Sequence, residues 1–146
     1  MITQEMFGMA CAVIVAAGRG KRMNSSVAKQ FLEIEGKPLF VRSLEVFASH
    51  PEISRIQLVV PPEDVDSCKS MIPAELGRNS DIRLTAGGKR RQDSVYKGLL
   101  ALEEPGEKIV LIHDGVRPFV TQELISACID GVSETGACIA ATPASD

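Results

Sequence analysis

The chain has 146 residues, 45% of them hydrophobic and 24% charged, a composition typical of one globular domain, which we place at residues 1–146. Its net charge of −3 and isoelectric point of about 5.4 exclude the broad positive field by which nucleic acids or anionic membranes are bound. The sequence shows neither a basic signal-peptide region nor an apolar run near the roughly 18 residues of a membrane span. We therefore expect a cytoplasmic protein with no nucleic-acid and no membrane partner, which binds any anion locally.

Five apolar runs predict buried strands, because a parallel sheet that is covered on both faces needs near-continuous apolar sequence. The runs lie at residues 11–18, 54–62, 81–88, 108–115 and 137–143. Helical periodicity between them predicts four helices with one apolar stripe each. The stripes are Phe40, Leu44 and Phe47; Val65, Cys68 and Ile72; Val95, Leu99 and Leu102; and Leu124, Cys128 and Val132. Thr121 precedes the last helix as its N-cap.

This alternation of strands and helices predicts an α/β fold, a Rossmann-like, mostly parallel sheet with helices on both faces. Ligands bind such sheets in the crevice outside the carboxyl ends of the strands. Three segments of unusual composition lie at these positions: the loop after the first strand, GGKRRQDS after the third and HDGVRPF after the fourth. We expect the functional residues in these three segments.

Four cysteines, Cys11, Cys68, Cys128 and Cys138, stand far apart and form no C-x-x-C pair. Three of them lie inside apolar runs, where a thiol behaves as a small hydrophobic group. We expect the cysteines to be reduced and buried.

The first strand leads into a glycine-containing, basic loop, VAAGRGKRMNSSVAKQF, at residues 15–31. Gly18 and Gly20 allow positive φ and let backbone N–H groups approach a phosphate closely. The loop is not a P-loop, because G-K-[ST] is absent. It is not the dinucleotide fingerprint either, because Met23 stands where the third glycine is required.

Cationic side chains take the place of a longer glycine nest in this loop. Lys21 and Arg22 lie within it and Lys29 follows. An arginine forks onto phosphate oxygens, whereas a lysine offers a mobile point charge. The loop therefore predicts a phosphate site, and the alternative is a turn with solvated charges.

Three motifs in this order, AAGRGKRM with KQF a few residues later, GGKRRQDSV and HDGVRPF, resemble the 2-C-methyl-D-erythritol 4-phosphate cytidylyltransferase family over nearly the whole chain. The resemblance implies a nucleotidyltransferase-type fold and transfer of CMP from CTP to 2-C-methyl-D-erythritol 4-phosphate. By the same resemblance, this reaction releases pyrophosphate and belongs to non-mevalonate isoprenoid precursor synthesis. It also implies Mg²⁺ as cofactor and a homodimer of the full-length protein.

The same resemblance implies a set of nucleotide-binding residues spread over the three motifs. They are Ala16, Ala17, Gly18, Gly20, Arg22, Lys29, Gly87, Gly88, Arg91, Ser94 and Gly115. Arg22 and Lys29 are the expected catalytic residues, which neutralise charge developing on the phosphate oxygens. Gly87 and Gly88 are expected to read the cytosine through their backbone. For Ser94 and Asp93 the alternative is that one of them only caps the helix.

Asp114 is the candidate magnesium ligand, because it ends a strand, its hard oxygens suit this ion, and one carboxylate with substrate phosphates suffices. Arg117 is expected to brace the following turn. The acceptor phosphate is already an anionic nucleophile and needs no general base. We therefore expect His50 and His113 to be structural or solvated rather than catalytic.

Two departures accompany the resemblance. Ala28 stands where the family usually has proline, so the chain before Lys29 has one rigid φ fewer. The chain also ends just after the fifth predicted strand, which suggests truncation, with acceptor recognition and any fused second activity lying further on. We expect such a chain to hold a nucleotide but to turn over poorly.

Three other functions remain open from the sequence. A ribitol-5-phosphate cytidylyltransferase shares KQF and HDGVRPF, whereas AAG and DSV favour the methylerythritol enzyme. A non-catalytic nucleotide-binding fragment is the alternative outside enzymes. A nicotinamide-dependent Rossmann enzyme is disfavoured by Met23.

Overall fold

The computed structural model describes residues 10–18, 28–78, 80–102 and 109–144. Four parallel strands form its main sheet, with a short antiparallel pair beside them. In chain order the strands are β1 (Ala10–Val15), β2 (Glu33–Ile34), β3 (Lys37–Pro38), β4 (Ile53–Val60), β5 (Asp81–Ala86) and β6 (Val110–Asp114). The α-helices are α1 (Leu39–Ala48), α2 (Val65–Met71), α3 (Arg91–Leu100) and α4 (Gln122–Thr135). Short 3-10 turns lie at Lys29–Phe31, Pro62–Asp64 and Ala74–Arg78.

The strand order of the main sheet is β5-β4-β1-β6, and every pairing in it is parallel. The chain winds outward from β1 through β4 to β5 and then returns to β6 on the other side of β1. The direction of winding therefore reverses between β1 and β6, and ligands of such sheets bind at this switch point.

Strand β1 is buried on both faces, which explains its continuous apolar sequence. Ala12 and Ile14 belong to the core shared with α1, α2 and α4, whereas Cys11 and Val13 pack on the opposite face together with Val95 of α3 and with Leu102. Helices therefore cover both faces, and the predicted fold class is confirmed.

Two of the four predicted helix stripes are largely confirmed. Phe40, Leu44 and Phe47 of α1 are fully buried. In α2, Cys68 is buried, and Val65 and Ile72 are partly buried against the same core.

The stripes predicted for α3 and α4 are only partly right. Leu99 is 38% exposed and Leu124 is 42% exposed. Helix α3 instead buries Ser94 and Gly98, because it lies too close to the sheet for large side chains. Helix α4 is rotated by about one residue, so that Ile125 and Ile129 face the core and Thr121 caps the helix, as predicted, through Leu124 N–H.

The fifth predicted strand, at residues 137–143, is not formed. The run is irregular and its Ile139 is 87% exposed. An apolar run becomes a strand only when it pairs with a neighbouring strand, and the alanines of this run are poor strand formers. In the structure the run packs against α4 through Cys138.

Both histidines make structural contacts. The buried His50 accepts a hydrogen bond from Glu52 N at Nδ1 and lies 2.9 Å from Ser126 Oγ through Nε2. His113 packs on Phe47 with ring centroids 5.0 Å apart, and its Nε2–H donates to Arg117 O. Burial lowers the pKa of His113 below its ordinary range, so that a neutral ring is favoured there.

Among the described residues, no helix combines the length and apolarity that crossing a bilayer requires.

Replacing Gly98 by alanine should destabilise the fold by about 1–3 kcal/mol, although alanine is the better helix former. A Cβ at Gly98 would lie 2.5 Å from Val13 Cγ1 and 2.9 Å from Val59 Cγ2, so α3 would have to move away from the sheet. The free energy of unfolding in urea measures the effect. Gly77→Ala is the matched control, because a Cβ there meets no atom within 4 Å. A Gly98→Ala protein as stable as the wild type would contradict this packing.

Candidate nucleotide site

Three turns meet at the carboxyl edge of the sheet, after β1, β5 and β6. Each begins with a backbone hydrogen bond to a neighbouring strand. Ala16 N donates to Val59 O at 2.7 Å, Gly87 N to Val60 O at 2.7 Å and Gly115 N to Val15 O at 2.8 Å. The hydrogen bonding of the sheet thus continues beyond the strand ends and fixes the positions of all three turns relative to one another.

The turn after β1 is held between two glycines. A Cβ at Gly87 would overlap Ala17 Cβ, and a Cβ at Gly115 would lie 3.0 Å from Ala16 Cβ. Larger side chains at any of these positions would push the turns apart. Four predicted site residues, Ala16, Ala17, Gly87 and Gly115, are therefore brought together by packing.

Gly88 and Ser94 form a second contact of predicted residues. Ser94 is buried and its Oγ accepts from Gly88 N at 3.0 Å and donates to Arg90 O. The N–H groups of both Gly87 and Gly88 are thus engaged inside the protein, and Gly87 O accepts from Lys97 Nζ at 3.1 Å. At the start of α3 the N-cap residue is Arg90, and its N–H donates to Oδ2 of Asp93, the third residue of the helix.

Asp114 joins α3 to the turn after β6. Arg91 donates to its Oδ1 from Nη2 at 2.7 Å and from Nε at 3.0 Å, and Arg117 Nε lies 3.3 Å from Oδ2. The two guanidinium groups carry two positive charges against one negative charge, and both side chains are exposed. A net positive cluster therefore faces solvent at the switch point, where an anion is best received.

Asp114 is the single acidic member of this cluster and its side chain is 29% exposed. Within residues 10–18, 28–78, 80–102 and 109–144, no three histidine, cysteine or acidic side chains converge as a metal site. The carboxylate suits Mg²⁺ only together with oxygens from a bound phosphate, because a magnesium site is completed by such groups and water.

The other residues of the opening loop are partly described. Lys29 is exposed on the 3-10 turn Lys29–Phe31, which Phe31 fixes through an edge-to-face contact with Phe40 at 6.1 Å. Gly18 is exposed and a Cβ there meets no atom within 4 Å. Gly20 and Arg22 lie outside the described residues.

Sequence reasoning missed Ser43, which supports the site from α1. It is fully buried, and its Oγ donates to Gly115 O at 2.9 Å. A hydroxyl on the apolar face of a predicted helix is the pattern that could have indicated it, because buried polar groups need partners. Lys97 was also missed, since a lysine on an exposed helix face gives no such pattern.

A cavity of about 400 Å³ lies beside β6 and reaches the site. Asp114, Arg91 and Arg117 line one part of it, and Ile125, Cys128 and Cys138 line another. The charged cluster thus continues into an apolar space between β6, α4 and the residues that follow α4.

Comparison with known proteins gives the same assignment as the three motifs. A family model described as 2-C-methyl-D-erythritol 4-phosphate cytidylyltransferase matches residues 10–146. The protein of that name from Alkaliphilus metalliredigens is 43% identical over 134 residues, which are 92% of this chain and 55% of that protein. The one from Geobacillus kaustophilus is 45% identical over 135 residues, 92% of this chain and 58% of that protein.

A solved structure supports the fold as well. The crystal structure of 4-diphosphocytidyl-2C-methyl-D-erythritol synthase from Anaerococcus prevotii superposes with a TM-score of 0.71 at 30% identity, over 88% of this chain and 52% of that chain. The chain thus spans about half the length of the curated relatives it matches. The motifs, the fold of the described residues and the family model over residues 10–146 give the same assignment, and the chain belongs to the 2-C-methyl-D-erythritol 4-phosphate cytidylyltransferase family.

Proposed function

We propose that this chain binds CTP at the carboxyl edge between β1 and β6 and acts in transfer of CMP to 2-C-methyl-D-erythritol 4-phosphate. The observation that carries the proposal is the convergence of the family's motifs on one edge of the sheet, beside the net positive cluster at Asp114. Because the chain spans about half of its relatives' length, the activity, substrates and partners of the whole protein belong to this proposal.

The proposed reaction is an in-line displacement. A phosphate oxygen of the acceptor attacks the α-phosphorus of CTP, the bond to the β-phosphate breaks, and pyrophosphate leaves. Such transfers depend on positioning and on neutralising charge rather than on proton abstraction. The chain provides cations for this purpose: Arg22 and Lys29 in the opening loop, and Arg91 at the start of α3.

Asp114 would hold Mg²⁺ together with nucleotide phosphates, and the ion would supply charge neutralisation. Arg91 and Arg117 now occupy both carboxylate oxygens. An incoming triphosphate offers these guanidinium groups other oxygens, which would release the carboxylate. Arg91 is thus suited to move from Asp114 to a phosphate when CTP binds.

Base recognition is proposed for the turn of Gly87 and Gly88. Their N–H groups are already hydrogen-bonded and Gly87 O accepts from Lys97 Nζ, so the Gly88 carbonyl is the better candidate to receive the cytosine amino group. Ser94 would act by holding Gly88 in place. The homodimer and the cytoplasmic location stay predictions.

Binding of CTP tests the nucleotide site. In a calorimetric titration with Mg²⁺, we expect saturable binding of CTP, weaker binding of ATP, and a loss of about tenfold or more in CTP affinity for Asp114→Ala, which is about 1.4 kcal/mol.

Asp81→Ala is the matched control for this titration, since Asp81 is also paired with two arginines, Arg55 and Arg83, but at the amino end of β5. Equal losses in both variants, or equal affinity for ATP and CTP, would contradict the proposed site.

Pyrophosphate release tests the acceptor. At high protein concentration with CTP and Mg²⁺, we expect slow release of pyrophosphate. The release should be faster with 2-C-methyl-D-erythritol 4-phosphate than with ribitol 5-phosphate, because AAG and DSV resemble the methylerythritol enzyme. A preference for ribitol 5-phosphate would contradict the acceptor. Binding of CTP without release of pyrophosphate in the presence of either acceptor would favour a non-catalytic nucleotide-binding module.

A further inference from the structure

Two thiols lie side by side at the C-terminal half of α4. Cys128 is on the helix and Cys138 is on the irregular run after it, and both line the cavity beside β6. The prediction that the cysteines are buried is wrong for this pair, because Cys128 is half-buried and Cys138 is exposed. Cys11 and Cys68 are buried elsewhere in the core.

Gly131 makes the contact possible. A Cβ at this position would lie 2.8 Å from Cys138 Sγ and 3.3 Å from Cys138 Cβ, so the cysteine occupies the space that a side chain would need. Gly131 is three residues after Cys128 and therefore on the same face of α4. Side chains on a helix tilt toward its N-terminus, so a group placed on Gly131 is adjacent to Cys128.

The end of α4 directs the chain back onto this face. Gly136 adopts φ +81° and its N–H donates to Val132 O at 2.8 Å, an αL cap that only glycine adopts without strain. Thr135 Oγ1 also lies 2.7 Å from Ala137 O. The return of Cys138 to Cys128 is therefore built into the helix terminus.

We propose that Cys128 and Cys138 form a reversible disulfide, a modification site separate from the nucleotide site. The thiolate of Cys138 attacks a small-molecule disulfide such as oxidised glutathione, which gives a mixed disulfide and releases one thiol. The sulfur of Cys128 then attacks the Cys138 sulfur and releases the second thiol. The protein loses two hydrogens, and the small disulfide is reduced to two thiols.

The surroundings assign the order of the two steps. Cys138 is exposed and meets the oxidant first. Burial raises the pKa of Cys128, which makes it the slower of the two thiols to react with the oxidant and so the one that resolves the mixed disulfide. Burial also raises the pKa of Cys68 to about 11, so this thiol does not compete.

The disulfide would affect the cavity beside β6. Both cysteines line this cavity, whose other part includes Asp114 and Arg91. Oxidation fixes the run after α4 to the helix and so fixes one wall of the cavity. Reduction leaves that wall free to move away from α4.

The proposal is tested by incubating the native chain with oxidised glutathione, blocking free thiols by alkylation and mapping the peptides by mass spectrometry. We expect a Cys128–Cys138 cross-link as the main product, its complete loss in Cys128→Ser and Cys138→Ser, and its reversal by dithiothreitol. The yield should fall in Gly131→Ala, whose Cβ displaces Cys138, and stay at the wild-type level in Gly77→Ala.

A denatured sample shows whether the cross-link depends on the fold or only on the short distance between the two cysteines in the sequence. The same chain in denaturant should give glutathione adducts on the four cysteines and less of the cross-link. Equal yields in native and denatured protein would overturn the proposal. A native product in which Cys138 carries glutathione while Cys128 remains a free thiol would overturn it as well.

Discussion

The close approach of the β1 turn to its two neighbours is the constraint on which the site depends. Ala16 packs where a Cβ of Gly115 would be crowded, and Ala17 packs where a Cβ of Gly87 would overlap it. Because β1 is buried on both faces, it cannot shift to relieve such contacts. The small residues of AAG, GG and DG therefore serve one purpose, which is to let three chain turns meet at one edge of the sheet. Ser43 and Ser94 then fix the turns by hydrogen bonds to Gly115 and Gly88.

Two clusters of charged side chains lie at opposite edges of the sheet. At the switch point Arg91 and Arg117 pair with Asp114, and at the amino end of β5 Arg55 and Arg83 pair with Asp81. These last arginines keep the pKa of Asp81 below its usual range, foremost through the hydrogen bond from Arg83. Similar ion pairs thus occur at both edges of the sheet. The edge at Asp114 differs because glycine turns and exposed cations surround it, which suits a phosphate.

Much of the fold was predictable because it follows from local sequence. Four apolar runs correctly predicted the strands of the main sheet, and the spacing of Phe40, Leu44 and Phe47 correctly predicted the buried face of α1. Which face of α3 is buried could not be predicted. Gly98 is buried because the helix lies close to Val13 and Val59, and this closeness is set by tertiary packing. The run at residues 137–143 was predicted as a strand from its apolar residues, but strand formation depends on a partner that sequence does not display.

The candidate site was predictable as a set of motifs, whereas its internal contacts were not. The order of strands and glycine turns indicated which segments would meet. The pairing of Arg91 with Asp114, and the engagement of the Gly87 and Gly88 N–H groups, depend on side-chain and backbone geometry at the start of α3. The adjacency of Cys128 and Cys138 likewise follows from the left-handed cap at Gly136, which reverses the chain.

Hydrogen–deuterium exchange with and without CTP and Mg²⁺ tests the central claim most directly, because it shows where on the fold the nucleotide is held. The account predicts slower exchange at residues 87–94 and 113–117 when CTP is present, and no change at residues 50–52 and 81–83, which lie at the amino ends of β4 and β5. Protection confined to this second group, or none in the first group while CTP is bound, would contradict a nucleotide site between β1 and β6.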